Sequence, residues 1–241
     1  TMGTPTIEGS RGADENETQV SLSRGFYLGK YEVTQAEYES VMTGNADGID
    51  GTPNYFPGHS DRPVEGVKYG DVQVFIQRLN EQMSSMIPAG WAYVLPTEAQ
   101  WEYACRAGAN TAYSWGGSIA SNDANYNWDG DYNTGSDYQQ TRDVGQYSPN
   151  AWGFYDMHGN VREWVADWYG EYAVGPLTDP TGVTSGSNRV IRGGAWWDAA
   201  IYLRSGARYS ADLNYVNGGV GFRIAFQNLN NAPTNLGPIT V

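Results

Sequence analysis

Apolar residues recur along this chain at the three- and four-residue spacing of a helix in three places. After Tyr69, the residues Val72, Phe75, Ile76, Leu79 and Met83 share one face with polar residues opposite, which predicts the longest amphipathic helix. At Thr34-Gln35-Ala36-Glu37 the threonine side chain can cap the third helical N–H while Glu37 reaches back. Val33 and Tyr38 fall at the flanking staple positions, so a helix is predicted to about Met42. A third begins at Thr97, where Pro96 ends a strand and Gln100 completes a second capping box; Trp101 and Ala104 face inward and Gly108 caps the end.

Strands are predicted at residues 19–22, 25–30, 189–191 and 221–226, and pairing the first with the last would bring the chain ends together. Residues 108–189 are rich in Asn, Asp, Gly, Tyr and Trp with little periodicity, which predicts long loops with a task or a staple of their own. Residues 1–227 read as one domain, and 228–241 as a polar linker or the start of a following segment. No internal repeat is visible.

Composition narrows the function classes. Among 241 residues, 14 Lys and Arg face 27 Asp and Glu, a net charge of −13 that argues against nucleic acid and anionic membrane surfaces as partners. With 40% apolar residues the chain can bury a core, while 31 Gly and 11 Pro imply many turns. No run approaches the roughly 18 consecutive apolar residues of a membrane span. The first residue is Thr1, so the sequence reads as a processed product or a piece excised from a longer protein. One cysteine, Cys105, excludes an internal disulfide and a multi-thiolate metal site, and reads as a buried structural thiol.

Five separated motifs occur in a fixed order. They are residues 25–34 (GFYLGKYEVT), 95–104 (LPTEAQWEYA), 153–164 (GFYDMHGNVREW), 192–196 (RGGAW) and 221–223 (GFR). Together they resemble the formylglycine-generating enzyme, or sulfatase-modifying factor, family over residues 1 to about 226. The resemblance implies an α+β, C-type-lectin-like fold that is loop-rich, with a small antiparallel sheet and a few short helices. The family's oxidases carry two cysteines shortly after the Gly-Gly pair, which bind copper(I) because that soft ion prefers thiolates. Here Asp198 stands where the first would fall and no cysteine follows through Arg208, so no copper is expected.

Calcium is expected instead. It takes six to eight oxygens at about 2.3–2.6 Å, mixing carboxylates with carbonyls from tight loops. The resemblance implies one ion at Asp156, Gly159, Val161 and Glu163, and a second at Asn125, Tyr126, Asp137 and the carbonyl of Tyr138 or Gln139. Turn and helix capping is the plainer reading of the same residues. The resemblance further places a cleft floor at residues 196–219. Trp197, Asp198, Tyr202, Arg208, Tyr209, Asn214 and Tyr215 are the candidate ligand contacts, since aromatic and Asn side chains on irregular backbone suit adaptable binding. Arg204 and Arg208 could fork onto an anion, but pairing with an acid of the same domain is the preferred reading for both, since acids are in excess.

The expectation is a calcium-stabilised, non-oxidase module of a larger secreted or cell-surface protein. Its partner would be a protein or glycan ligand, or neighbouring subunits of an extracellular assembly. Two readings stay open beside it: an active enzyme using another metal site, with Asp198, Arg204 and His158 taking part, and a variable ligand-display protein. His158 is read as packed or hydrogen-bonded in a turn, and His59 as lying in a solvated loop.

Overall fold

Both threonine-led helix starts form as their side chains dictate. The computed structural model describes residues 1–6, 8, 11–128 and 139–230. Helix α1 (Gln35–Met42) begins where Glu37 N donates to Thr34 Oγ1 at 3.2 Å and Thr34 N donates to Glu37 Oε2 at 2.8 Å. Helix α2 (Tyr69–Gln82) buries Tyr69, Val72, Phe75 and Ile76. Helix α3 (Glu98–Arg106) repeats the reciprocal cap, with Thr97 N on Gln100 Oε1 at 2.9 Å and Gln100 N on Thr97 Oγ1 at 3.2 Å. Its left-handed terminating residue is Ala107, at φ 47°, one position before the expected Gly108.

The strands are β1 (Val20–Ser21), β2 (Phe26–Leu28), β3 (Trp91–Val94), β4 (Arg162–Trp168), β5 (Leu177–Thr178), β6 (Asn188–Arg192), β7 (Arg208–Asp212), β8 (Val220–Phe222) and β9 (Ala225–Asn228). Among the described residues they form three sheets, ordered β1-β5, β2-β9-β3 and β7-β6-β4-β8. The sheet structure is therefore mixed rather than antiparallel throughout, because β1 runs parallel to β5 and β4 parallel to β8.

The predicted strand at 221–226 divides into β8 and β9, which serve different sheets. Arg223 lies at the break and turns into the core. Pairing of early and late segments occurs through β2 and β9, with Tyr27 opposite Phe226; β1 pairs with β5 instead. Strand β4 lies in the stretch read as loop. Glu163, Trp164 and Val165 are buried in succession, so its two faces are both covered and no period-two alternation marks it.

Trp164, Ile191, Val220 and Phe222 pack with Tyr38 and Phe75 in the principal core. The Phe75 ring stacks on Tyr38 at 5.4 Å and meets Phe222 edge-on at 5.2 Å, which fastens the helices to β8. A second cluster joins Trp101 and Cys105 of α3 to Met157, Val165 and Val190. Trp164 is fully buried, and its indole N–H donates to Val67 O at 3.1 Å. Trp164→Ala should cost about 3–5 kcal/mol in urea unfolding. Trp164→Phe, which chiefly strands one acceptor, should cost about 1–3 kcal/mol.

Candidate functional site

The Gly193-Gly194 turn delivers Asp198 to the interior. Gly194 has φ 77°, and a β-carbon there would stand 2.8 Å from the Leu203 side chain, so the close approach requires glycine. Asp198 is buried and accepts from Ala195 N at 2.8 Å. Its two oxygens also grip Arg162, from Nε at 2.8 Å and from Nη2 at 2.6 Å, and that guanidinium lies 4.5 Å over the Tyr209 ring. The position expected to face a ligand is thus closed by a bidentate internal ion pair.

A second buried centre surrounds the turn at residues 156–160. Asp156 and Asn160 adopt left-handed φ values of 57° and 66°, and a β-carbon on Gly159 would stand 2.5 Å from Asn125 O. The turn therefore presses directly on the segment carrying Asn125. Glu163 is wholly buried: it accepts from Arg223 Nε and Nη2, each at 2.7 Å, and from Trp101 Nε1 at 2.8 Å. Asp156 Oδ2 accepts from Gly145 N at 2.7 Å. Burial pushes the Asp156 carboxyl up to about 6, against the Gly145 amide, which favours the charged form.

Glu32 joins this centre and was not foreseen. It accepts from Asn160 Nδ2 at 2.7 Å and from Val161 N at 3.2 Å. Burial first, then the charges of Asp156 and Glu163, hold its carboxyl well above the usual carboxylate range. The buried Glu32 and Glu163 and the half-buried Asp156 thus share Arg223 as a cation acting on all three. The only signal in the sequence was an acid inside the motif at 25–34.

Calcium fits these donors in part. Among the described residues, no three His, Cys, Asp or Glu side chains are grouped as a metal site, and Glu163 already holds Arg223 and Trp101. The donors are nevertheless all oxygen, and the negative charge exceeds its partner. Near Gly159, Asn125 Oδ1 is buried and has no hydrogen-bond partner among the described residues, although its Nδ2 donates to Gln140 O and Asn160 Oδ1. Tyr126 is buried beside it. Asp137 and Tyr138 lie outside the described residues.

Arg208 is also removed from the expected contact surface. It is buried, bonded to Glu98 at 2.9 and 2.8 Å and to Gly170 O at 2.7 Å. Arg204 is held by Glu15 and Glu8. Trp197 is half-buried, its ring turned edge-on to Trp196 and packed on Gly219. Tyr202 and Asn214 remain exposed, with Tyr209 and Tyr215 half-buried.

His158 is buried, with Nδ1 at 2.7 Å from Leu203 O and Nε2 at 3.2 Å from Ser114 N. These partners place its proton on Nδ1. Burial drives the imidazole down to about 4 and the neighbouring Cys105 thiol up to about 12, so both are neutral near pH 7. His59 is exposed.

Asp167 accepts from Glu98 N at 2.8 Å, and burial with the Glu98 charge pushes its carboxyl up to about 7. The folded protein therefore binds this proton more tightly than the unfolded chain. Its contribution favours folding at low pH and is lost as pH rises from about 4 towards 7. Asp167→Asn should lose less melting temperature than the parent between pH 5 and pH 7.5; parallel pH profiles would contradict this assignment.

The profile of the sulfatase-modifying factor enzyme 1-like domain matches residues 1–228. The formylglycine-generating enzyme of Mus musculus is 29% identical over an alignment 287 positions long, covering 95% of this chain and 73% of that one. PvdO from Pseudomonas aeruginosa superposes with a TM-score of 0.78 and 31% identity, covering 94% of this chain and 90% of PvdO. Treponema denticola variable protein 1 superposes at 0.71 with 27% identity, over 93% and 91% of the two chains.

Proposed function

This chain belongs to the sulfatase-modifying factor enzyme 1-like domain family, and on that footing we propose that it is a calcium-stabilised, non-oxidase module serving as a binding or structural domain of a larger secreted or surface protein. One observation carries the non-oxidase reading. The chain has a single cysteine, buried beside a neutral histidine, so the thiolate pair of the family's oxidases is absent. Asp198 stands at the expected position of the first thiolate and is bound to Arg162.

The uncompensated acids of the buried centre support calcium. Asp156 with the carbonyls of Gly159 and Val161 would hold the ion, with Glu163 dividing its carboxylate between the ion and Arg223. Bound calcium would supply positive charge where Glu32, Asp156 and Glu163 repel one another. The unpartnered Asn125 Oδ1 supports the second ion. Adding a chelator should lower the melting temperature by several degrees, because an ion present at 100 times its Kd contributes about 2.7 kcal/mol. Asp156→Asn keeps an acceptor for Gly145 N and should abolish most of that response. Identical melting with and without chelator would defeat the calcium assignment.

A ligand-display role is a second reading, favoured by the likeness to Treponema denticola variable protein 1. The exposed Tyr202, and Asn214 with its chain neighbours Leu213 and Val216, would supply contacts for a protein or glycan.

A further inference from the structure

A pocket of about 290 Å³ opens between the segment at residues 29–34 and helices α1 and α2. Its floor is apolar. Val41 and Phe75, both buried, supply it together with the half-buried Leu79 and Ile224. A mostly apolar concavity with a few polar groups is the usual composition of a small-molecule site, and this volume takes one aliphatic side chain with its head group.

The polar lining lies towards solvent, since Lys30, Glu37 and Ser40 are exposed and Thr34 is half-buried. Both hydroxyls are engaged locally. Thr34 Oγ1 donates to Glu37 Oε2 at 3.1 Å and accepts from Glu37 N, while Ser40 Oγ donates to Glu37 O at 2.8 Å. Glu32 also lines the pocket, but its carboxyl is bonded to Asn160 and Val161. Two charged groups keep capacity for a ligand. The Lys30 ammonium stands 5.3 and 5.1 Å from the ring centroids of Tyr31 and Tyr155, which orient it by cation–π attraction, and it forms no ion pair among the described residues. Glu37 Oε2 takes both bonds from Thr34, which fixes the carboxylate, while Oε1 accepts none among the described residues. Opposite charges thus line one pocket without pairing to each other.

We propose that this pocket binds a free α-amino acid with an aliphatic side chain the size of leucine. The side chain lies against Val41, Phe75, Leu79 and Ile224, the carboxylate meets Lys30 and the ammonium meets Glu37. A zwitterion answers both charges at once, whereas a simple carboxylate also faces Glu37 and a simple amine also faces Lys30, each meeting a like charge. This site goes beyond the reading of the chain as a calcium-stabilised module and does not depend on it.

The test is titration of the full chain with L-leucine, followed by calorimetry and by the methyl NMR signals of the protein. Binding should saturate and should shift the methyl signals of Val41, Leu79 and Ile224. N-acetyl-leucine lacks the ammonium, leucinamide lacks the carboxylate and glycine lacks the side chain, so each should bind about tenfold more weakly or worse. Lys30→Met keeps the aliphatic stem and Glu37→Gln keeps an acceptor for the helix cap. Both should melt close to the parent and weaken leucine binding about tenfold. Ser40→Phe adds bulk at an exposed lining position and should abolish binding. Absence of saturable leucine binding overturns the proposal. Equal affinity for leucinamide or N-acetyl-leucine overturns it too, as does leucine affinity unmoved by the three substitutions.

Discussion

Buried guanidinium–carboxylate pairing holds this loop-rich molecule together. Arg223 meets Glu163 with both side chains sealed from solvent, and the same guanidinium bonds Gly29 O and Tyr155 O at 3.1 and 3.0 Å. Arg192 likewise pairs with Glu102 while reaching Ser205 O at 2.8 Å. Each arginine therefore neutralises an acid and also satisfies carbonyls of irregular segments that no ladder serves. Desolvating such ions is expensive, so removing either partner is far more damaging than replacing both together. Short strands and few helices suffice because these forks take over work that regular hydrogen bonding does elsewhere.

The same pairing decides what the family scaffold retains here. Arg162 and Asp198 form an ion pair near the Gly-Gly turn, and the buried Cys105 and His158 are neutral. A neutral thiol is a poor nucleophile and a poor metal ligand. The acidic centre around Glu32, Asp156 and Glu163 is the opposite case, where burial and neighbouring acids hold the Glu32 carboxyl well above its usual range beside the Arg223 guanidinium. At the first place an internal ion pair stands near the Gly-Gly turn, while at the second a cluster of acids shares one guanidinium.

Helices were legible because their signals are local. A threonine with a partner three residues on marks the starts of α1 and α3, and a 3.6-residue apolar period marks α2, each within a residue or two. Strand β4 was hidden because β6 and β8 flank it and both its faces are covered, erasing alternation. The single cysteine and the family motifs were readable directly. The fates of Asp198 and Arg208 were not, since each depends on a partner distant in sequence, Arg162 and Glu98. Glu32 escaped notice for the same reason: it meets Asn160 across 128 positions.

The most direct trial of this account is aerobic incubation of the purified chain with a cuprous salt and a cysteine-containing peptide derived from a sulfatase, read by mass spectrometry. Unchanged peptide thiol is the predicted result. Conversion of that cysteine to the aldehyde would contradict the central claim that this scaffold has exchanged its thiolate chemistry for an internal ion pair.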